Sequence, residues 1–333
     1  MFPAFGLYTH IQANRRRSAI LIAGLFILFY LMTYGLALLV AVFAGDESGT
    51  FETFLSDAAV LTLFLAPAVT ACVALWIWCV TLFNTHILDL ATGAKGVSKA
   101  DEAQIFVVLQ NLCISRGMTM PQLRIIETDA PNAFASGMSA DRYAITVTRG
   151  LLDLLDKHEL EAVLAHELTH IRNGDVRTMI VAVLAVGVMS FVGETAWRSL
   201  AAGENRSDRK SGGRLAAMTV AGGLLVVAWV LSIVIRLSLS RRREYLADAG
   251  AVELTHDADA MISALRKIDR KGDIDGAPSA VMELCLDNPR RGFSNLFATH
   301  PSIEERIEAL VRYGGGQPPA NRPVSLTDAS EPA

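Results

Sequence analysis

Apolar residues in this chain gather into four runs, and polar residues fill the stretches between them. The first run is Ser18–Ala44 and the second is Ala58–Phe83. Both exceed the roughly 20 residues an α-helix needs to cross a bilayer. The first has too long an apolar core for a signal peptide, and no small-residue cleavage pattern follows early enough. It reads as a retained span. The third run, Thr178–Gly193, is short for a span and is ended by Glu194. Glu194 is an intramembrane acid if that run crosses, and otherwise sits near a helix end. The fourth run, Leu215–Ile235, lies between Arg214 and Arg236 and is long enough to cross.

Basic residues orient these runs. Arg15, Arg16 and Arg17 precede the first, and Lys95 and Lys99 follow the second. The loop between them, Gly45–Asp57, holds Asp46, Glu47, Glu52 and Asp57 and no basic residue. Lysine and arginine are retained on the cytoplasmic side, which puts both ends of this hairpin there. Arg206, Arg209 and Lys210 weaken the case for an external loop between the third and fourth runs. Arg241, Arg242 and Arg243 restore part of the bias.

The polar stretches carry their own periodicities. Ala94–Ala100 reads as a linker. Asp101–Arg116 has helical spacing, with Gly117 as its stop. Gln122–Glu127, Asn132–Met138 and Arg142–Thr148 read as strands. Gly150–Asp156 predicts a short helix and His158–Asn173 a longer one. Arg241–Val252, Ala258–Ile268 and Ser302–Tyr313 predict three more. The tail Gly314–Ala333 is rich in glycine and proline and is expected to be disordered. The expected fold class is therefore α+β, mainly helical with a small sheet, combined with transmembrane helices. Its expected units are an N-terminal transmembrane hairpin in 1–93 (spans about 18–44 and 58–83), a first globular part in 94–176, a hydrophobic hairpin in 177–237 (about 178–200 and 214–236), a second globular part in 238–313 and the tail 314–333.

Composition agrees with membrane residence. Hydrophobic residues make up 52% of the chain and charged residues 19%, with mean hydropathy +0.36. A soluble domain is normally more charged than this. The net charge of −4 and the lack of a basic stripe with interleaved aromatics argue against a nucleic-acid partner. Cys72, Cys79, Cys113 and Cys285 form no C-x-x-C pair. They read as free thiols in a reducing compartment.

The chemistry is concentrated in HELTH, His166–His170. The two histidines are four residues apart, so on a helix they share a face and can converge on one ion. Neutral imidazole is a good zinc ligand. Glu167 stands beside the first histidine and can take a proton from an attacking water without itself being a ligand. A catalytic zinc site expects three protein ligands and one open position. Glu244 and Asp248, in EYLAD, are again four apart. One can bind metal while the other accepts a histidine N–H and fixes the ring.

HELTH, a hydrophobic insertion and then EYLAD followed by Ala-Gly together resemble the HtpX-like membrane zinc metalloproteases, a superfamily that includes the CAAX prenyl proteases. The resemblance runs from the first span to about Leu310. It includes PNAFASG at Pro131–Gly137 and THP at Thr299–Pro301. It implies a zincin-like metalloprotease domain with one Zn2+ per chain, held by His166, His170 and Glu244. It implies Glu167 as the catalytic base and Asp248 as the acid that braces a histidine. Asn132, Ala133 and Phe134 are similar to the family's edge strand beside the cleft, which pairs with substrate. His300 is similar to a histidine expected near the reacting carbonyl. Ser302 and Glu305 form a capping-box pattern, so His300 is equally a turn residue before a helix, and the two roles can coexist.

One ion cannot be shared across a bilayer, so the third and fourth runs either both cross or both fail to cross. The expected activity is hydrolysis of misfolded or damaged membrane proteins at the cytoplasmic face of a bacterial inner membrane, with polypeptide and the lipid bilayer as partners. The alternatives are a CAAX-type prenyl-peptide protease and an inactive zinc-binding scaffold or sensor.

Overall fold

The structure is a computed structural model and describes residues 7–45, 49–180, 212–237, 241–282, 284–289 and 301–317. Helix α1 (Leu7–Ala44) and helix α2 (Phe51–Thr92) contain the first two apolar runs. Thr50 caps α2 by accepting the Thr53 N–H, and Gly93 ends it in the left-handed region at φ 71°. At ~1.5 Å per residue, 42 residues extend roughly 63 Å, about twice a hydrocarbon core. The surplus at its C-terminal end enters the globular domain. Along the rest of α2, apart from the buried Phe54, Ala58 and Val73, large apolar side chains face outward: Leu63 is 76% exposed and Phe64 81%. Such a surface is stable only in lipid.

Helix α7 (Gly212–Leu237) packs along α1 and α2, and among the described residues the three form a bundle. Ala217 and Ala221 of α7 are fully buried against Leu38 and Val42 of α1. The Arg214 guanidinium donates twice to the Val42 carbonyl, at 2.9 and 2.6 Å. That oxygen is one of the four carbonyls a helix C-terminus leaves without an internal partner. The start of α7, the end of α1 and the start of α2 therefore lie together. The third apolar run falls mostly outside the described residues.

The globular domain holds a four-stranded sheet: β1 (Lys95–Gly96), β2 (Gln122–Ile126), β3 (Ala133–Ser136) and β4 (Ala144–Thr148), in the order β1-β2-β4-β3. β2 and β4 are parallel, with Gln122 opposite Ala144, and both outer pairs are antiparallel. The segment expected as a linker thus supplies an edge strand. Helix α3 (Ala103–Arg116) ends at Gly117, as expected. Helix α4 (Arg149–Leu154) follows β4 directly.

Helix α5 (Lys157–Asn173) is the centre of the domain. Asp156 and Glu159 form a reciprocal capping box at its start, and Gly174 ends it at φ 73°. The HELTH residues are all buried. α6 begins at residue 175 and is described to 180. Beyond the bundle, α8 (Arg242–Thr255), α9 (Ala258–Ile268), the short α10 (Ser279–Met282) and α11 (Ile303–Tyr313) complete the domain. α5 packs on α8 and α9, and α11 closes over both. The first residues of the expected tail are not loose: Gln317 N–H donates to Asp259 on α9 at 2.7 Å. The remainder of that tail, 318–333, lies outside the described residues.

Candidate metal centre

Two helices make the site. On α5, the four-residue spacing puts His166 and His170 on one face, with ring centroids 4.7 Å apart and planes at 86°. On α8, Glu244, Ala247, Asp248 and Ala251 are all buried and recur at helical spacing. The two alanines let α8 lie close to α5. The close approach brings both α8 carboxylates against the histidines.

One ligand atom each from His166, His170 and Glu244 lies within 4.8 Å of the other two. The two Nε2 atoms are 3.1 Å apart. Glu244 Oε2 is 3.7 Å from each of them. A tetrahedral ion with ~2.0–2.1 Å bonds holds its donors about 3.3–3.4 Å apart, so this triangle is the right size for one. The outward ring nitrogens point the same way chemically. His166 Nδ1 is 2.9 Å from Asp248 Oδ1, and His170 Nδ1 is 3.1 Å from Asp175 Oδ2. With each Nδ1–H donated to a carboxylate, both Nε2 atoms present lone pairs to each other. Only positive charge between them relieves that repulsion. Two imidazoles and a carboxylate are the donor set zinc takes in catalytic sites.

Titration behaviour separates the two rings. Burial disfavours both imidazolium forms. At His166 burial prevails over Asp248, and the pKa falls to about 4. At His170 the Glu244 and Asp175 carboxylates outweigh burial, and the pKa rises to about 10.

Glu167 is buried beside the triangle. Burial raises its pKa to about 7, with the Glu244 charge adding to the rise. His170 and Arg306 pull the other way. A carboxyl group poised near neutrality is suited to carry a proton in both directions.

Three residues the sequence reading passed over complete the site. Asp175 lies one position beyond Gly174, whose left-handed backbone turns the chain back toward His170. Arg306 on α11 is 1% exposed and grips Asp248 through two bonds, at 2.9 and 2.6 Å. Arg243, counted in the sequence only as part of the basic cluster that orients the membrane runs, is buried and donates to Glu244 Oε1 at 3.2 Å. A local signal existed only for Asp175, in the Asn-Gly-Asp turn after HELTH.

β3 forms one edge of the sheet. β3 starts at Ala133, and Asn132 precedes it. The Asn132 side chain does not face the metal triangle. Its Nδ2 donates to Gly272 O at 2.6 Å and Asp287 O at 2.7 Å, while its Oδ1 accepts Asp287 N–H at 3.2 Å. Phe134 packs its ring among Leu25 and Leu28 of α1. His300 lies outside the described residues.

This is a metalloprotease domain seated on membrane helices. Residues 99–313 match the model for peptidase family M48. The chain is 36% identical over 320 residues to a protease HtpX homolog of Bacteroides fragilis strain YCH46, covering 92% of this chain and 99% of that one. It is 33% identical over 312 residues to a protease HtpX homolog of Dictyoglomus thermophilum, covering 93% and 96%. Among solved structures, that of S. mikatae Ste24p aligns with TM-score 0.44 and 18% identity, covering 91% of this chain and 66% of that one. The chain belongs to peptidase family M48 and is a membrane metalloprotease.

Proposed function

We propose that the protein is a zinc-dependent endopeptidase that cuts unfolded or damaged membrane polypeptides at the cytoplasmic face of a bacterial inner membrane. The single observation that carries the reading is the donor triangle of His166, His170 and Glu244 with Glu167 beside it. A zinc ion bound there supplies Lewis acidity toward an attacking water and the scissile carbonyl.

The remaining work belongs to the chain. Asp248 and Asp175 each accept one Nδ1–H and hold the rings with Nε2 turned inward. Arg306 keeps Asp248 ionised in its buried place. The Glu167 carboxylate takes the proton released as water attacks the carbonyl carbon. It then delivers that proton to the departing amine nitrogen, and the carboxylate is regenerated.

Substrate specificity follows from the edge strand. Asn132 O already accepts Thr148 N–H and Ala133 O accepts Leu286 N–H, so an extended segment would pair as an added strand just beyond Phe134, at the outward-facing backbone of Ala135. Such pairing reads main chain more than side chains and suits flexible polypeptide. Arg15, Arg16 and Arg17, on α1 ahead of its apolar run, and the lysines after α2 support a cytoplasmic domain. His300 is proposed to stabilise the oxyanion.

The test is Glu167→Gln, purified in detergent with defined zinc and assayed on casein. Zinc stays bound and cleavage is abolished. Undiminished cleavage removes Glu167 as base. Preference for a farnesylated C-terminal peptide over casein moves the reading to a prenyl-peptide protease.

A further inference from the structure

Glu244 offers an ion two carboxylate oxygens, and a neighbouring side chain already holds one of them. We propose that Arg243 is a positioning residue: it engages Glu244 Oε1, so that Glu244 binds the metal through Oε2 alone and one coordination position stays open for the reaction. The proposal rests on the reading of His166, His170 and Glu244 as the ligands.

Arg243 is placed against ordinary preference. It lies in the first turn of α8, where the helix dipole disfavours a cation. It is 7% exposed, while Arg241, two positions earlier, is exposed. Burying a guanidinium costs free energy unless the group is paired and hydrogen-bonded. Here the pairing is thin. Nε donates to Glu244 Oε1 at 3.2 Å, and Nη2 is buried with no hydrogen-bond partner among the described residues. Fold stability alone does not explain an arginine at this position. Nor does helix geometry bring the two groups together by default. Consecutive side chains on a helix point about 100° apart and do not face each other. The Arg243 side chain folds back to reach its neighbour's carboxylate.

The two oxygens of Glu244 have different surroundings. Oε1 accepts the Arg243 Nε–H. Oε2 lies 3.7 Å from the Nε2 atom of each histidine. The second guanidinium nearby does not blur this division. Arg306 Nη1 is 4.0 Å from Oε2, too long for a hydrogen bond, and its Nε and Nη2 are committed to Asp248. Arg306 therefore leaves Oε2 to the histidine side, and Arg243 takes Oε1. The division matters because a carboxylate can bind an ion through one oxygen or through two. A catalytic zinc site has three protein ligands and keeps a fourth position for water or substrate. A second Glu244 oxygen would intrude on that position. A charge-assisted hydrogen bond to Oε1 weakens that oxygen as a donor and favours binding through Oε2 alone.

The experiment compares Arg243→Met and Arg243→Gln in the full-length protein. Methionine keeps much of the side chain's length and removes the donor. Glutamine puts an amide N–H at the same number of bonds from Cα as the arginine Nε, without the charge. Each protein is loaded with Co2+ in place of zinc, because Co2+ absorbs visible light strongly in a four-coordinate site and weakly in a five-coordinate one. The zinc-loaded proteins are assayed for kcat on casein. The methionine variant is expected to bind the metal, to show the weaker five-coordinate absorption and to lose roughly 10–100-fold in kcat. The glutamine variant is expected to keep the wild-type spectrum and most of the rate. A methionine variant with the wild-type spectrum overturns the proposal, whatever its rate. So does a glutamine variant altered as much as the methionine one, since charge or packing would then be the whole role. Zinc-edge X-ray absorption of the wild-type protein tests the same point without a variant, and decides it if the methionine variant does not fold. One carboxylate oxygen on the ion is expected, and two overturn the proposal. If Glu244→Gln binds zinc as tightly as the wild type, the ligand set itself is wrong. That failure is read from affinity, apart from the Arg243 spectra.

Discussion

Gly250 on α8 faces Thr169 on α5 so closely that a methyl group on Gly250 would lie 2.5 Å from Thr169 Cγ2 and 2.7 Å from its Oγ1. Thr169 is buried and committed to the Ala165 carbonyl at 2.8 Å, so it has little room to yield. In an open helix position Gly→Ala stabilises by roughly 0.5–1 kcal/mol. Here the sign reverses. Gly250→Ala is expected to cost about 1–3 kcal/mol through overpacking. It also levers Glu244 away from the histidines. Thermal unfolding together with zinc titration checks both parts, and a stabilised variant with unchanged zinc affinity contradicts the packing argument.

Arg306 and Asp248 form a buried ion pair with two short bonds. Arg306→Leu leaves the Asp248 carboxylate buried without its cation, at a cost of about 3–5 kcal/mol. Zinc affinity is expected to fall by roughly 10–100-fold, because Asp248 no longer holds His166 in place. Arg306→Lys keeps the charge but not the planar fork and falls between. Denaturant unfolding and competition with a zinc dye measure the two effects.

Acid sensitivity follows from the same pair. Burial raises the Asp248 pKa, but the Arg306 charge and hydrogen bonds outweigh it, and the net direction is below the ordinary value. A carboxylate depressed in the folded state contributes stability above its unfolded pKa. That contribution is lost as pH falls below about 4 toward the folded value. Asp248→Asn is expected to flatten the loss of melting temperature between neutral pH and pH 3. An unchanged acid profile in that variant assigns acid unfolding to other carboxylates.

Asn132 ties the start of β3 to two distant loops through Gly272 and Asp287. Asn132→Ala strands those buried carbonyls, at about 1–3 kcal/mol for each left unsatisfied. The expected result is a lower melting temperature, with zinc content retained. If Asn132 served substrate alone, the variant would raise KM and leave stability intact.

Metal removal has a thermodynamic signature apart from activity. Zinc at 100 times its dissociation constant stabilises the folded state by about 2.7 kcal/mol. A chelator is expected to lower the melting temperature and stop cleavage, and added zinc to restore both. In Glu244→Gln the zinc-dependent rise in melting temperature shrinks. A rise as large as in the wild type would exclude Glu244 from the ligand set.

Much of this protein was legible in one dimension. The hydrophobic runs located α1, α2 and α7, because crossing a bilayer demands length and apolarity that few other contexts require. HELTH placed its histidines on one face because helical periodicity is local, and Asp156 and Gly174 set the ends of that helix for equally local reasons. Tertiary structure decided the rest. No spacing rule links position 306 to 248, since their meeting depends on how whole helices pack. Arg243 is one of three consecutive arginines in the sequence, and it is packing that buries it together with its neighbour Glu244. Asn132 is expected on the edge strand beside the cleft, and its amide bonds to Gly272 and Asp287, 140 and 155 positions away, which no local pattern announces. Sequence determined which elements form and which side chains share a helical face. Only packing determined which faces meet, because burial energy is non-directional and finds its partners in three dimensions.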